Sequence, residues 1–209
     1  MKYQIALYFF LLFFLFIGCE KDPTRMDNFF IEFATIDRGG EELTFVLDNH
    51  KRLLSPSHKT NIEDGKRVIL NYTPISGDEV RVNSLSLVFS SDIKMYDRVS
   101  ELNNDPIKIQ SVWVGGDYLN MIFYMDFFEE NHSIGVLRDI NSEGIDLYFA
   151  HDRNDDPLGY QKKVFASFPI SILKSESIEG DTVPFTLHID TYLGRVEYNL
   201  EYINADIYH

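Results

Sequence analysis

The chain has 209 residues, of which 44% are apolar and 14% aromatic. That is enough apolar surface for a real core in one or two domains, and it excludes a disordered chain. Thirty-three Asp and Glu against 19 Lys and Arg leave a net charge of −14; nucleic-acid binding rests on neutralising phosphates with Lys and Arg, so the balance excludes it, disfavours anionic lipid heads, and reads as the charge of a soluble surface.

The N-terminus carries one side-chain positive charge, Lys2, and is followed by 14 uncharged residues, 5–18. A spanning helix needs roughly 20 apolar residues. The stretch is too short for that and fits the apolar part of a cleaved secretory signal. It ends Phe16-Ile17-Gly18-Cys19, which resembles a bacterial lipobox with Phe16 where Leu is usual. Cys19 is the only cysteine of the chain, so no disulfide claims it. The expectation is a signal at 1–18, lipid on Cys19 and a tether at 19–26, with the protein held on the cell envelope, at the outer membrane, on its periplasmic or its outer face. Several acyl chains would make that attachment stable.

Beyond the tether, period-2 alternation dominates and predicts an all-β chain. Residues 29–36 form a first strand, Asp37-Arg38-Gly39-Gly40 a hairpin turn, and 43–47 the returning strand. Asp64-Gly65 and Ser76-Gly77-Asp78 are further turns around a strand at 67–72. In 80–89 the apolar parity switches: Val80 and Val82 share one face, Leu85, Leu87 and Phe89 the other. This predicts a bulge or bend near Asn83-Ser84, as in the curled strands of small OB-like barrels. The polar, turn-rich segment 100–106 sets the expected boundary between a barrel at 27–105 and a second domain at 106–209. There, Leu119, Met121, Phe123, Met125 and Phe127 share a face while Ile122 and Tyr124 partly cover the other, which suggests a central strand. Further alternation through residue 202 gives about seven short strands, the pattern of an antiparallel β-sandwich.

Few constellations could carry chemistry. Ser171-Ile172-Leu173-Lys174 matches Ser-x-x-Lys, but its partner motifs are absent and Ser171 reads as a turn residue. Adjacent Glu129 and Glu130 mark an exposed turn more simply than a pair of glycosidase carboxylates. His188 has the parity of Thr186 and Asp190, a solvated polar face; His151 has the core-facing parity of Phe149 and reads as a loop-pinning histidine ahead of a zinc ligand. Asp152, Asn154 and Asp156 alternate as a calcium loop begins, but Pro157 and Lys163 replace the Gly and Glu that an EF-hand needs, so a plain polar turn is the simpler reading. Trp113 and Tyr118 could stack on sugar rings, although Trp113 reads first as a core anchor. No cofactor and no enzymatic activity are expected.

Several segments together resemble the NigD-like lipoproteins. Leu47-Asp48, Arg52-Leu53-Leu54-Ser55-Pro56, Asp64-Gly65-Lys66-Arg67-Val68 and Asn71-Tyr72-Thr73 resemble their N-terminal module. Trp113, Gly116-Asp117-Tyr118-Leu119-Asn120, residues 151–156 and Ala166-Ser167-Phe168 resemble the C-terminal one. Asp155 stands where the family often has Gly, and Lys66 where Gln is common. The resemblance implies an OB-like domain followed by a β-sandwich, on an envelope lipoprotein of Gram-negative anaerobes, with no established catalytic residues and a proposed bacteriocin-immunity role. The expected function is a non-enzymatic binding or adaptor module with a protein partner. Glycan binding is the alternative, and a hydrolase a more distant one.

Overall fold

The computed structural model describes residues 28–40, 42–102, 104–176 and 182–203; the expected signal, Cys19 and the tether lie outside them. Five strands close a barrel: β1 (Phe30–Asp37), β2 (Thr44–Leu47), β3 (Arg52–Leu54), β4 (Arg67–Ser76) and β5 (Glu79–Leu87), in the circular order β1-β2-β3-β5-β4. Inward parity fills it with Ala34, Ile36, Phe45, Leu47, Leu53, Val68, Leu70, Tyr72 and Val80. Burying each large side chain of this set is worth about 1.5–3 kcal/mol.

The parity switch in β5 is a register shift against β4. Asn71 pairs with Ser84 and Tyr72 with Val82, which leaves Asn83 as the extra residue of a bulge. Its amide donates to Asn71 Oδ1 and Thr73 Oγ1, both at 3.0 Å, and pins the bend. Gly77, with φ of 56°, makes the tight β4–β5 turn in a conformation that costs glycine nothing.

The second module is a two-layer sandwich. One sheet runs β6-β12-β9-β8, from β6 (Phe89–Ser90), β12 (Tyr160–Pro169), β9 (Tyr118–Phe127) and β8 (Lys108–Gly115). The other runs β14-β13-β11-β10-β7, from β14 (Gly194–Ile203), β13 (Thr182–Thr191), β11 (Asp146–Asp152), β10 (Ser133–Asp139) and β7 (Lys94–Tyr96). The hairpins β8–β9, β10–β11 and β13–β14 are antiparallel, and parallel pairings join them: β7 on β10, β11 on β13, β6 on β12. β9 is central, as its two covered faces predict. Leu119, Met121, Phe123 and Met125 point into the core against Leu147, Phe149, Leu187 and Ile189. Phe123 and Phe149 meet edge to face at 5.1 Å, a favourable aromatic geometry.

The boundary between modules lies upstream of 105/106. β6 and β7 already belong to the two sheets of the sandwich, so pairing passes from barrel to sandwich at Val88. The polar segment 100–106 hid this, because it looks like a linker, yet Asn104 and Asp105 are docked on the sandwich. Asp105 accepts from Arg153 N at 2.8 Å and Arg153 Nε at 3.0 Å, and Asn104 Nδ2 donates to Phe149 O at 3.1 Å. The same crossing explains a second departure. Leu87 is 63% and Phe89 38% exposed, while Val88 between them is buried, because the chain leaves the barrel there and turns its odd-numbered side chains outward.

Candidate functional site

Arg67 opens β4 with outward parity, next to inward Val68, where a solvated side chain would be expected. Instead it is 2% exposed. The barrel lies on the outer face of the β6-β12-β9-β8 sheet, and Arg67 fills the seam. Within the barrel its guanidinium donates to Asp48 Oδ1 at 2.7 Å and Thr35 Oγ1 at 3.2 Å. Toward the sandwich it donates to Asn120 Oδ1 at 3.2 Å and Ser167 Oγ at 3.4 Å, and it lies 4.0 Å from the centre of the Tyr118 ring.

The partners also bind each other. Asn120 Nδ2 donates to Asp48 Oδ2 at 2.8 Å, and Ser167 Oγ donates to Asn120 Oδ1 at 2.6 Å. Burial pushes the Asp48 carboxyl above its ordinary value, against the pull of Arg67 and Asn120. The β8–β9 turn is glycine for steric reasons. A Cβ on Gly115 would meet Asp48 Oδ2 at 2.5 Å, and one on Gly116 (φ 56°) would meet the Asp48 carbonyl at 3.1 Å. Beside the hub, Phe33 of β1 packs edge-on to Trp113 at 5.1 Å and against Phe165 at 6.2 Å.

Trp113 and Tyr118, the expected sugar-stacking pair, are therefore spent in the seam. Trp113 packs on Phe33, and one face of Tyr118 is covered by a guanidinium. They share a location, but it faces the other module.

A groove of about 890 Å³ opens along the same junction, between the loop 60–66 and residues 87–92. Leu87 and Phe89 supply its apolar wall, Glu63 and Asp92 its acidic rim, and Arg67 its floor. A smaller depression of about 350 Å³ lies over Asp48, His50, Asp117 and Tyr118. Sequence reasoning missed the groove because Leu87 and Phe89 alternate as core residues do.

A second buried polar cluster lies within the sandwich. His151 is 2% exposed and bonds the Asp105 carbonyl through Nδ1 at 3.0 Å, which fixes its Nδ1 as donor. Its Nε2 faces His132 Nδ1 at 2.9 Å, and His132 Nε2 faces Asp156 Oδ2 at 3.1 Å. Asp156 also accepts from the backbone N–H groups of Phe128, Glu129 and Glu130 at 2.7, 3.2 and 3.1 Å. A carbonyl at one end and a carboxylate at the other both only accept. The three hydrogen bonds of the run then need three ring protons from the two imidazoles. Burial, opposed by the Asp105 carbonyl and aided by His132, pushes His151 below its ordinary value. Burial pushes Asp156 up, but the three N–H donors and His132 outweigh it and hold the carboxyl well below the usual range.

This arrangement overturns the calcium-loop candidates. Asp156 turns inward and has its oxygens occupied, Asp152 Oδ1 accepts from Asn154 N at 2.8 Å, and the Asn154 amide donates to Asn131 O at 2.6 Å. The three do not converge, and no group of three or more His, Cys, Asp or Glu that could hold a metal occurs among the described residues. Asn154 and Asp155 have φ of 53° and 64°, so position 155 is one where glycine is the unstrained choice. His132 was missed because only the β10–β11 register brings it to His151.

The remaining candidates are scattered. Ser171 is exposed in the 3-10 turn Ser171–Glu176, and Lys174 pairs with Asp117 at 3.4 Å. His188 is on the polar face as expected but is not solvated: it stacks on Tyr148 at 4.5 Å and bonds Asp146 Oδ1 at 2.8 Å. Glu129 and Glu130 are exposed and contribute backbone donors.

A family model, the NigD-like C-terminal beta sandwich domain, matches residues 92–202. Its start agrees with the entry of β7 into the sandwich. Solved structures share the architecture over both modules. One is described provisionally as a toxin-related protein from Parabacteroides distasonis ATCC 8503; it is 22% identical with a TM-score of 0.71, covering 85% of this chain and 94% of that one. A NigD-like immunity protein from Bacteroides caccae ATCC 43185 is 22% identical with a TM-score of 0.66, covering 84% and 96%. A protein from Bacteroides fragilis NCTC 9343, described provisionally as a lipoprotein, is 12% identical with a TM-score of 0.64, covering 85% and 99%. At these identities the likeness establishes the fold. No curated protein sequence matches the chain.

Proposed function

The chain belongs to the NigD-like family, and from that premise we propose that it is a lipid-anchored envelope protein acting as a non-enzymatic binding or adaptor module. In this reading Cys19 carries the lipid, and an OB-like barrel and the sandwich together present one rigid surface to a protein partner. The observation that carries it is the junction groove beside the Arg67 hub. Exposed apolar side chains on a rigid seam are the usual mark of a recognition surface. Neither core uses Leu87, which is 63% exposed at the groove wall. A bacteriocin-immunity role is the special case suggested by the named immunity protein from Bacteroides caccae.

The test is affinity purification of the full lipoprotein from detergent-solubilised envelopes. A stoichiometric protein partner is expected, with recovery falling at least tenfold for Leu87→Asp, since removal of one apolar anchor and burial of a charge cost about 2 kcal/mol or more. A partnerless protein, or capture indifferent to Leu87→Asp, would sink the groove and shift weight to a glycan ligand. Unchanged toxin sensitivity on deletion would remove the immunity case alone.

A further inference from the structure

Below the barrel, the outer face of the β6-β12-β9-β8 sheet is uncovered, and its register sets a row of three side chains across it. Lys108 on β8 and Lys163 on β12 are both cross-strand partners of Tyr124 on β9. Their ammonium groups lie 6.0 and 5.8 Å from the Tyr124 ring centre, and Lys163 lies 5.1 Å from that of Phe165. Both lysines are exposed, and neither pairs with a carboxylate of the described residues. Aromatic rings position the two charges without neutralising them. Asp126, two residues along β9 with the parity of Tyr124, is held by Tyr192 and Gln161.

The start of the fold lies beside this row. Thr35 is bonded to Arg67, and two residues earlier Phe33 packs on Trp113 and Phe165. The direction of β1 carries its N-terminus onward past Phe165, the ring that Lys163 also approaches. At the start of the strand Phe29 and Ile31, of one parity, are 57% and 59% exposed, while Phe30, of the other, stacks on Tyr72 at 5.5 Å. Nine residues lie between Cys19 and Phe29, ten steps along the chain, a reach of at most about 35 Å.

We propose that this face, Lys108, Tyr124 and Lys163 with Phe29 and Ile31, docks on a bilayer surface bearing anionic phospholipid phosphates. The proposal rests on the anchor at Cys19 proposed above. A short tether holds the face at an effective concentration near millimolar, so the attraction of two lysines to an anionic surface is enough to orient the body. The net charge that argues against lipid heads for the chain as a whole is not the charge of this one face, where Lys108 and Lys163 stand over Tyr124.

Because Cys19 is the only cysteine, single substitutions can report the geometry. The full lipoprotein carrying Ile31→Cys or Lys59→Cys is labelled with a polarity-sensitive dye and reconstituted in phosphatidylcholine vesicles with about 30% phosphatidylglycerol. A blue shift is expected at position 31 and none at 59, lost with Lys108→Glu/Lys163→Glu and in salt of about 0.5 M. Equal spectra at both positions, or a shift indifferent to the double reversal, overturn the docking. The parent protein is labelled in parallel. Labelling at Cys19 would sink the anchor instead, and co-sedimentation of the same protein with those vesicles, expected to fall at least fivefold with the double reversal, then decides the docking face by itself.

Discussion

The Arg67 hub and the His132–His151–Asp156 run are both buried and both contain a carboxylate that burial pushes up, yet the two acids end with opposite net shifts. Asp48 is pushed up and Asp156 held down. The difference lies in the donors. Asp156 receives three backbone N–H groups of one loop, whose positions are set by the chain itself. Asp48 receives two side chains, and one of them, Asn120, arrives from the other module. Backbone donors are preorganised before the acid is buried; side-chain donors must be delivered by docking. The His run closes a loop within one module, while the hub makes the carboxylate of one module depend on the seating of the other.

That contrast can be broken, and the largest effect is expected at Arg67. Arg67→Met leaves Asp48 half-buried without its cation and should cost about 3–5 kcal/mol, a fall in melting temperature on the order of 10 °C. Adding Asp48→Leu should return much of it, because the stranded charge is gone. A loss below about 1 kcal/mol on thermal denaturation would mean that the hub is not what seats the modules.

A smaller effect separates the clusters by pH. A histidine whose folded value is depressed leaves the unfolded chain to bind the proton first. Stability from His151 is therefore present above its ordinary value of 6.5 and falls as pH drops below it. Asp48, raised from 3.8, has the opposite sign: its folded form takes the proton first, so its contribution grows as pH falls toward that range. His151→Gln should cost about 2 kcal/mol near neutral pH and flatten the slope below pH 6.5. Denaturant titrations across pH, with and without the substitution, check this; an unchanged slope would remove His151 as its source.

The smallest effect tests the cost of a polar group that neither cluster satisfies. Ser55 Oγ is buried with no hydrogen-bond partner. Ser55→Ala should leave the melting temperature unchanged or raise stability by up to about 1 kcal/mol. A clear loss would mean that the hydroxyl has a bonded water or ligand in solution.

The barrel strands, the bulge at Asn83 and the central place of β9 were legible because a parity of two is a local signal. The glycine turns were legible for the same reason. The hub was not, since Arg67 and Ser167 are 100 residues apart, and an outward polar residue reads the same whether water or another module covers it. Asp48, Arg67, Trp113, Gly116, Tyr118, Asn120 and Ser167 were nonetheless on the page, among the residues that carry the family resemblance. Pattern found them, but only the packing of barrel on sheet explains why they belong together. His188 misled for the complementary reason, as polar parity does not distinguish a solvated ring from one stacked on Tyr148.

The early strands of the crossing have a consequence in time. Phe89 of β6 pairs with Ala166, and Lys94 of β7 with Leu137. A chain emerging N-terminus first at 5–20 residues per second completes the barrel strands and then holds β6 without its partner for about 4–15 s. β7 waits a shorter time, about 2–9 s, for Leu137 of β10. The long sequence separation of these pairings predicts a slow step in refolding that belongs to the seam between the modules.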